Sequence, residues 1–204
     1  MLEKKKILRK IIKVRVSAIS ADEKTKREKL LLDNLFSMPE FIEAKTVMLF
    51  ANLPDEIGTF SLIDKCIAVG KKVFLPVING DDMTACEFKG EYKIGKYGIK
   101  EPIVNESRDN ACILRDSAPE PVDVRNSDTE PVEVSFKEHL DFILVPGVAF
   151  SPNGYRLGRG KGYYDKFLSK YTNLFTVGVC FREQFYLDIP TEPHDIPMHR
   201  VLVI

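Results

Sequence analysis

The sequence predicts an α/β protein: a single layered domain, residues 1–204, with a mostly parallel sheet flanked by helices. Three observations predict it. Short apolar runs recur at 46–51, 72–78, 141–147, 175–181 and 201–204, as expected of strands buried on both faces. A helix-period segment separates the first two, and strand, helix, strand at that spacing implies a right-handed crossover. The composition, 44% hydrophobic and 29% charged over 204 residues with 12 Gly and 12 Pro, is that of an ordinary globular domain large enough to bury a core.

The elements follow in chain order. Leu8, Ile11, Ile12 and Val16 recur at three-to-four spacing, giving an amphipathic first helix with Lys5, Arg9 and Lys13 along one face. Ser20-Ala21-Asp22-Glu23 reads as a capping box, Ser20 accepting from the backbone and Glu23 reaching back, that opens a second helix through Leu30, Leu31, Leu32 and Leu35. TVMLFA (46–51) is a buried strand, FSLIDKCIAVG (60–70) a helix closed by Gly70, and KVFLPVI (72–78) the next strand, with MTACEF (83–88) adding another. Between Glu101 and Asp141 the periodicity fades while Pro119, Pro121, Pro131 and acidic residues accumulate. Residues of about 104–136 therefore read as an acidic, proline-containing insertion with no part in the core. DFILVPG (141–147) is a further buried strand, KGYYDKFLSK (161–170) a helix after it, and FTVGVCF (175–181) and VLVI (201–204) the last strands.

Thirty Lys and Arg balance thirty Asp and Glu, which removes the whole-molecule basicity of a dedicated nucleic-acid or membrane-surface binder. Charge is nonetheless segregated. Residues 3–29 hold eleven basic against four acidic side chains, and residues 104–136 hold eight acidic against three basic. Cys66, Cys86, Cys112 and Cys180 lie far apart without a C-x-x-C pair, so neither a zinc site nor a disulfide framework is suggested, and reduced thiols are expected. Lys10, Lys13 and Arg15 interrupt the apolar residues after the basic start, and the uncharged run 142–155 is broken by Pro146, Gly147, Pro152 and Gly154. The expected protein is cytoplasmic, with no membrane and no nucleic-acid partner.

The most informative stretch is ILVPGVAFSPNGYRLGRGKGYYDKFL (143–168), a buried strand running through a glycine-rich, cationic loop into a helix. Gly158, Gly160 and Gly162 alternate with Arg159 and Lys161, so backbone can approach an anion closely while cations face it. That is a phosphate cradle. It is neither G-x-x-x-x-G-K-[ST] nor G-x-G-x-x-G. Asp165, close to any phosphate held there, would repel it unless a cation bridges them, for which Mg²⁺ is the natural choice; the other reading is a carboxylate that only favours the helix dipole.

This loop, G-x-R-L-G-R-G-K-G-Y-Y-D after V-P-G-V-A-F, resembles the signature of the 5-formyltetrahydrofolate cyclo-ligase family, and the resemblance runs over nearly the whole chain. Lys5-x-x-x-Arg9 is similar to its N-terminal ATP-binding pair, Asp55-Glu56-Ile57 to its folate-site element, and Tyr97-Gly98-Ile99-x-Glu101-Pro102 to a further turn. Phe181-x-Glu183-Gln184 and His194-Asp195 match its C-terminal elements. The resemblance implies an enzyme, acting as a monomer, that converts 5-formyltetrahydrofolate to 5,10-methenyltetrahydrofolate with ATP as co-substrate and Mg²⁺ as cofactor. An N-formyl oxygen is a poor leaving group, and its phosphorylation would let N10 close the ring as phosphate departs. Position by position, the resemblance implies ATP binding by Lys5, Arg9, Arg156, Leu157, Gly158, Arg159, Gly160, Lys161, Gly162, Tyr163 and Tyr164. It implies substrate binding by Ala51, Glu56, Arg159, Gly160, Lys161, Gly162 and Tyr163, catalysis by Arg159 and Lys161, and metal ligation by Asp165 and Asp195.

In isolation Lys5, Arg9 and Lys13 also read as the solvated face of a helix, and His194 and His199 as structural or surface histidines. His199 stands where many relatives carry an aspartate. Two other classes compete. A transferase or isomerase of the same architecture would have no use for a triphosphate cradle, and an RNA-binding module is disfavoured by the zero net charge.

Overall fold

The apolar runs assemble into a seven-stranded sheet in the computed structural model, which describes residues 2–94, 100–103, 112–113, 139–171 and 174–204. The order is β11 (Arg200–Val203), β10 (Phe175–Cys180), β7 (Phe142–Pro146), β1 (Thr46–Met48), β2 (Lys72–Asn79), β3 (Asp82–Glu87) and β6 (Cys112–Ile113). The first five are mutually parallel; β3 runs antiparallel to β2, and β6, antiparallel to β3, runs in the direction of the five. Two small antiparallel pairs stand apart, β4 (Tyr92–Ile94) with β5 (Lys100–Pro102) and β8 (Ala149–Phe150) with β9 (Arg156–Leu157).

Period-two alternation sends side chains to two apolar layers. Val47, Leu49, Val73, Leu75, Phe142 and Leu144 pack with Ile12 and Val16 of α1 (Leu2–Ser17), Leu31 and Leu35 of α2 (Ala21–Leu35), Phe41 of α3 (Pro39–Glu43) and Leu62, Ile63 and Cys66 of α4 (Phe60–Ala68). Met48, Phe74, Ile143 and Val145 face the other way, onto Phe167 and Leu168 of α5 (Tyr163–Leu168). Helices thus cover both faces, as expected, four on one and one on the other among the described residues. None of them is long and apolar enough to cross a membrane.

Several local expectations are corrected. Ile11 is 44% exposed whereas Lys5 is buried, so the inward face of α1 is set by Ile12, Val16 and an ammonium. Ser20 does cap α2, accepting from Glu23 N at 3.2 Å, but the Glu23 carboxylate binds Arg27 at 2.9 Å instead of reaching back. The last helix is six residues, not ten. Cys112–Ile113 form a strand on β3, so the insertion is not wholly outside the sheet; its remaining residues, like Tyr97 to Ile99, lie outside the described ones. Cys86 is disulfide-bonded, against the expectation of reduced thiols, while Cys66 and Cys180 are free and buried, which pushes each thiol up to about 12.

Asp141 pins the entry to the central strands. One carboxylate oxygen accepts from Lys45 N (2.8 Å), Thr46 N (2.9 Å) and the Thr46 hydroxyl (2.9 Å). Burial pulls the carboxyl upward, but these bonds outweigh it and hold it below the ordinary aspartate value. A pKa depressed by folding gives stability that is complete above the unfolded value, about 3.9, and lost as pH falls through the folded one. Asp141→Ala is therefore expected to cost about 2 kcal/mol at neutral pH, because the backbone donors lose their acceptor. Denaturant unfolding across pH checks it: the deficit should shrink at acid pH, and a deficit that stays constant would deny the carboxylate this role.

Candidate functional site

The connection from β1 leads to β2 on one side, while β7 returns on the other side of β1, so the sheet has a switch point between β1 and β7. Ligands of such sheets occupy the crevice at the strands' carboxyl ends where connections diverge. The loops that meet there are residues 49–59, after β1, and 147–162, after β7.

Two cavities open at this place. The larger, about 580 Å³, is lined by Lys5 and Arg9 of α1, by Arg156, Leu157, Gly158, Gly160, Lys161 and Gly162, by Asp165 of α5, and by Glu192, His194 and Asp195. The second, about 390 Å³, is lined by Ala51, Leu53 and Glu56 after β1, Pro76 and Ile78 of β2, and Arg159, Tyr163 and Tyr164. Arg156, Gly158, Lys161, Gly162 and Asp165 line both, so the glycine loop is the wall between them.

Gly160 (φ +102°) and Gly162 (φ +69°) take left-handed conformations that other residues adopt at a cost. They bring the loop against α1, where Arg9 Nε donates to Gly158 O at 2.9 Å. Lys5 reaches the same cavity from the preceding turn, its Nζ 3.0 Å from Glu192 and 3.5 Å from Asp195. Asp195 also accepts from Glu192 N at 2.7 Å. A buried ammonium is tolerable because it is paired twice.

Arg156 is 7% exposed and sits between the cavities. One terminal nitrogen lies 2.9 Å from Asp165, the guanidinium covers the Tyr164 ring at 5.4 Å, and the other terminal nitrogen, Nη1, is buried without a hydrogen-bond partner among the described residues. An orphaned guanidinium N–H inside a cavity wall is what a missing acceptor would leave. Burial, reinforced by Glu56, pushes the Tyr164 phenol far above its ordinary range, so it stays neutral. The Tyr163 hydroxyl donates to Gly80 O at 3.2 Å.

Arg159 turns the other way, donating to Asp55 at 2.7 Å and Glu56 at 2.9 Å. Burial opposes its charge, and the two carboxylates more than restore it. The second Glu56 oxygen accepts from Leu53 N at 2.9 Å. Burial likewise raises the Asp55 carboxyl, but Arg159, with help from Lys13, holds it below the ordinary value. Lys161 is exposed and makes no hydrogen bond or ion pair among the described residues.

The residues singled out from the sequence are thus brought to one place but divided differently. Lys5, Arg9, Gly160 and Asp195 line only the larger of the two cavities, whereas Ala51, Glu56, Arg159, Tyr163 and Tyr164 line only the smaller. Leu157 touches the larger cavity while its side chain belongs to the core. Asp165 is engaged by Arg156, and among the described residues the carboxylate and imidazole groups that converge within 4.8 Å are Glu192, His194 and Asp195. Glu192 was not anticipated; the acidic turn T-E-P-H-D carried the signal. His199 stands outside the site: its Nδ1 accepts from Thr176 N at 3.1 Å and its ring stacks on Phe175.

Comparison with known proteins agrees with this geometry. The sequence model of the 5-formyltetrahydrofolate cyclo-ligase family matches residues 1–204. The chain is 28% identical to mouse 5-formyltetrahydrofolate cyclo-ligase, covering 97% of this chain and 92% of that protein. It is 32% identical to the Mycolicibacterium smegmatis enzyme of the same name, over 79% and 74%. The solved structure of Aquifex aeolicus 5,10-methenyltetrahydrofolate synthetase is similar with a TM-score of 0.72 at 29% identity, covering 98% of this chain and 89% of that one.

Proposed function

The chain belongs to the 5-formyltetrahydrofolate cyclo-ligase family, and from that premise we propose that the larger cavity takes ATP, the smaller takes 5-formyltetrahydrofolate, and phosphoryl transfer occurs across the glycine loop. Cyclo-ligase activity itself follows from the family and its named relatives. The observation that carries the finer reading is the shared wall: the same five residues line both cavities. Two ligands can therefore meet end to end there, which an in-line transfer requires.

In this reading Lys5 and Arg9 hold the polyphosphate, and Lys161 neutralises charge that develops on the moving phosphoryl group. The orphaned Nη1 of Arg156 finds its acceptor on the same group. The larger cavity also offers the carboxylates of Asp165 and Asp195. Such oxygen donors suit Mg²⁺, which takes one or two carboxylates together with phosphate oxygens. The donor set fits, and a bound Mg²⁺ would supply charge neutralisation for the phosphates. Transfer to the formyl oxygen makes it a good leaving group; N10 attacks the activated carbon, the carbon–oxygen bond breaks, and phosphate leaves. Glu56, with Tyr163 and Tyr164 flanking, binds the pterin, whose N–H groups are donors suited to a carboxylate.

Purified protein mixed with 5-formyltetrahydrofolate should develop the methenyl chromophore only when ATP and Mg²⁺ are both present, and turnover without ATP would overturn the reading. Glu56→Gln should weaken folate binding by about tenfold, the scale of one charge-assisted hydrogen bond, and leave ATP binding nearly unchanged. Separate titrations of each ligand decide it. Equal loss of both affinities would instead make Glu56 a scaffold for Arg159.

A further inference from the structure

A third cavity, of about 170 Å³, lies beside the other two, with Arg9 and Lys13 of α1, Asp55, Gly147, Arg159 and Gln184 on its wall. It shares Arg9 with the larger cavity and Arg159 and Gly147 with the smaller one. Pockets for small organic ligands begin near about 300 Å³. This space suits an ion of phosphate size with a little water, not a nucleotide or a pterin.

Its polar groups indicate the sign of the occupant. Three cations face the single carboxylate of Asp55, which is already held by both terminal nitrogens of Arg159, at 2.7 and 3.2 Å. Gln184 is satisfied: its oxygen accepts from Phe181 N, and its amide donates to Gly147 O and Val148 O. Lys13 makes no hydrogen bond or ion pair among the described residues. The unspent positive charge is therefore on the α1 side, and the matching ligand is a small, multiply charged anion.

Resting on the reaction proposed above, we propose that this third cavity holds the inorganic phosphate released at ring closure on its way out, with Lys13 as its principal cation. At that moment ADP fills the larger cavity and the methenyl product fills the smaller one. The third cavity shares an arginine with each, so phosphate reaches Lys13 along a continuous cationic wall. Phosphate can then leave before either bulky product.

The test is a titration of inorganic phosphate into the full chain, with saturating ADP to block the larger cavity, comparing wild type with Lys13→Met. The variant should bind phosphate about fivefold or more weakly, the scale of one exposed ionic contact, with ADP affinity unchanged. Unchanged phosphate affinity, or an equal loss for phosphate and ADP, would overturn the proposal. A parallel titration compares folate bearing one glutamate with folate bearing an extended γ-glutamyl tail. If Lys13→Met weakens only the long-tailed ligand, the cavity receives tail carboxylates and the phosphate assignment fails. The titration needs no turnover, so ATP-independent activity would sink the reaction while leaving the presence of this anion site separately decided.

Discussion

Lys161→Ala is expected to lower kcat by about a hundredfold or more while the chain stays folded. The magnitude is that of removing one preorganised group from developing transition-state charge, about 3 kcal/mol. Folding should be untouched because Lys161 is exposed and has no hydrogen bond or ion pair among the described residues. Lys161 lines both cavities, so in the proposed reaction its contribution depends on both substrates being present. Steady-state kinetics with both substrates saturating, beside a thermal melt, would check this. A folded variant with unchanged kcat would return Lys161 to the solvent.

Arg156→Met should damage stability and binding together, in contrast to Lys161→Ala. The substitution leaves Asp165 without its partner at 2.9 Å and uncovers the Tyr164 ring. Removing one member of a largely buried pair costs several kcal/mol, reduced here because Asp165 is partly exposed, so about 2 kcal/mol is expected. Both ligands should bind at least about tenfold more weakly, the equivalent of 1.4 kcal/mol each. Arg156→Lys should not rescue, since an ammonium cannot pair with Asp165, cover the ring and present a second donor at once. Denaturant melts and two separate titrations measure this; selective loss of one ligand would mean that Arg156 serves a single cavity.

The parts of the fold legible in the sequence are those written in local periodicity. Val73-Phe74-Leu75 and Phe142-Ile143-Leu144-Val145 announce strands buried on both sides, and Gly70 at φ +82° ends α4 where the pattern stops. Strand direction was less accessible. β3 returns antiparallel through Gly80, in the left-handed conformation, because four residues or fewer can turn a chain back but cannot cross over a sheet. The β8–β9 hairpin was missed because Phe150 read as the end of the preceding V-P-G-V-A-F strand and Arg156 as part of the glycine-rich loop. Gly154 makes the turn possible: at φ +81° its amide carbonyl accepts from Met198 N, and an added Cβ would stand 2.4 Å from Met198 O. That contact links residues far apart in sequence, which no local pattern records. The site was legible as a set of residues through its glycine loop, but their division between two cavities was not. The same loop faces both ways, and Arg159 is drawn to Asp55 and Glu56 by a charge balance that exists only after folding.

The pairing of Lys5 with Glu192 joins residues 187 positions apart, and Arg9 meets Gly158 across 149. During synthesis, α1 emerges long before either partner, so the larger cavity cannot exist on a nascent chain until the acidic turn has been made. Its assembly is a late event. On refolding from denaturant, helical signal and central-sheet protection should return first, and nucleotide binding should lag behind them, because closing so long a loop must wait for the intervening sheet to shorten the distance. The larger cavity thus acts as a checkpoint on completeness: until the turn at Glu192 has docked on α1, Lys5 has no partner and that cavity has no closed wall.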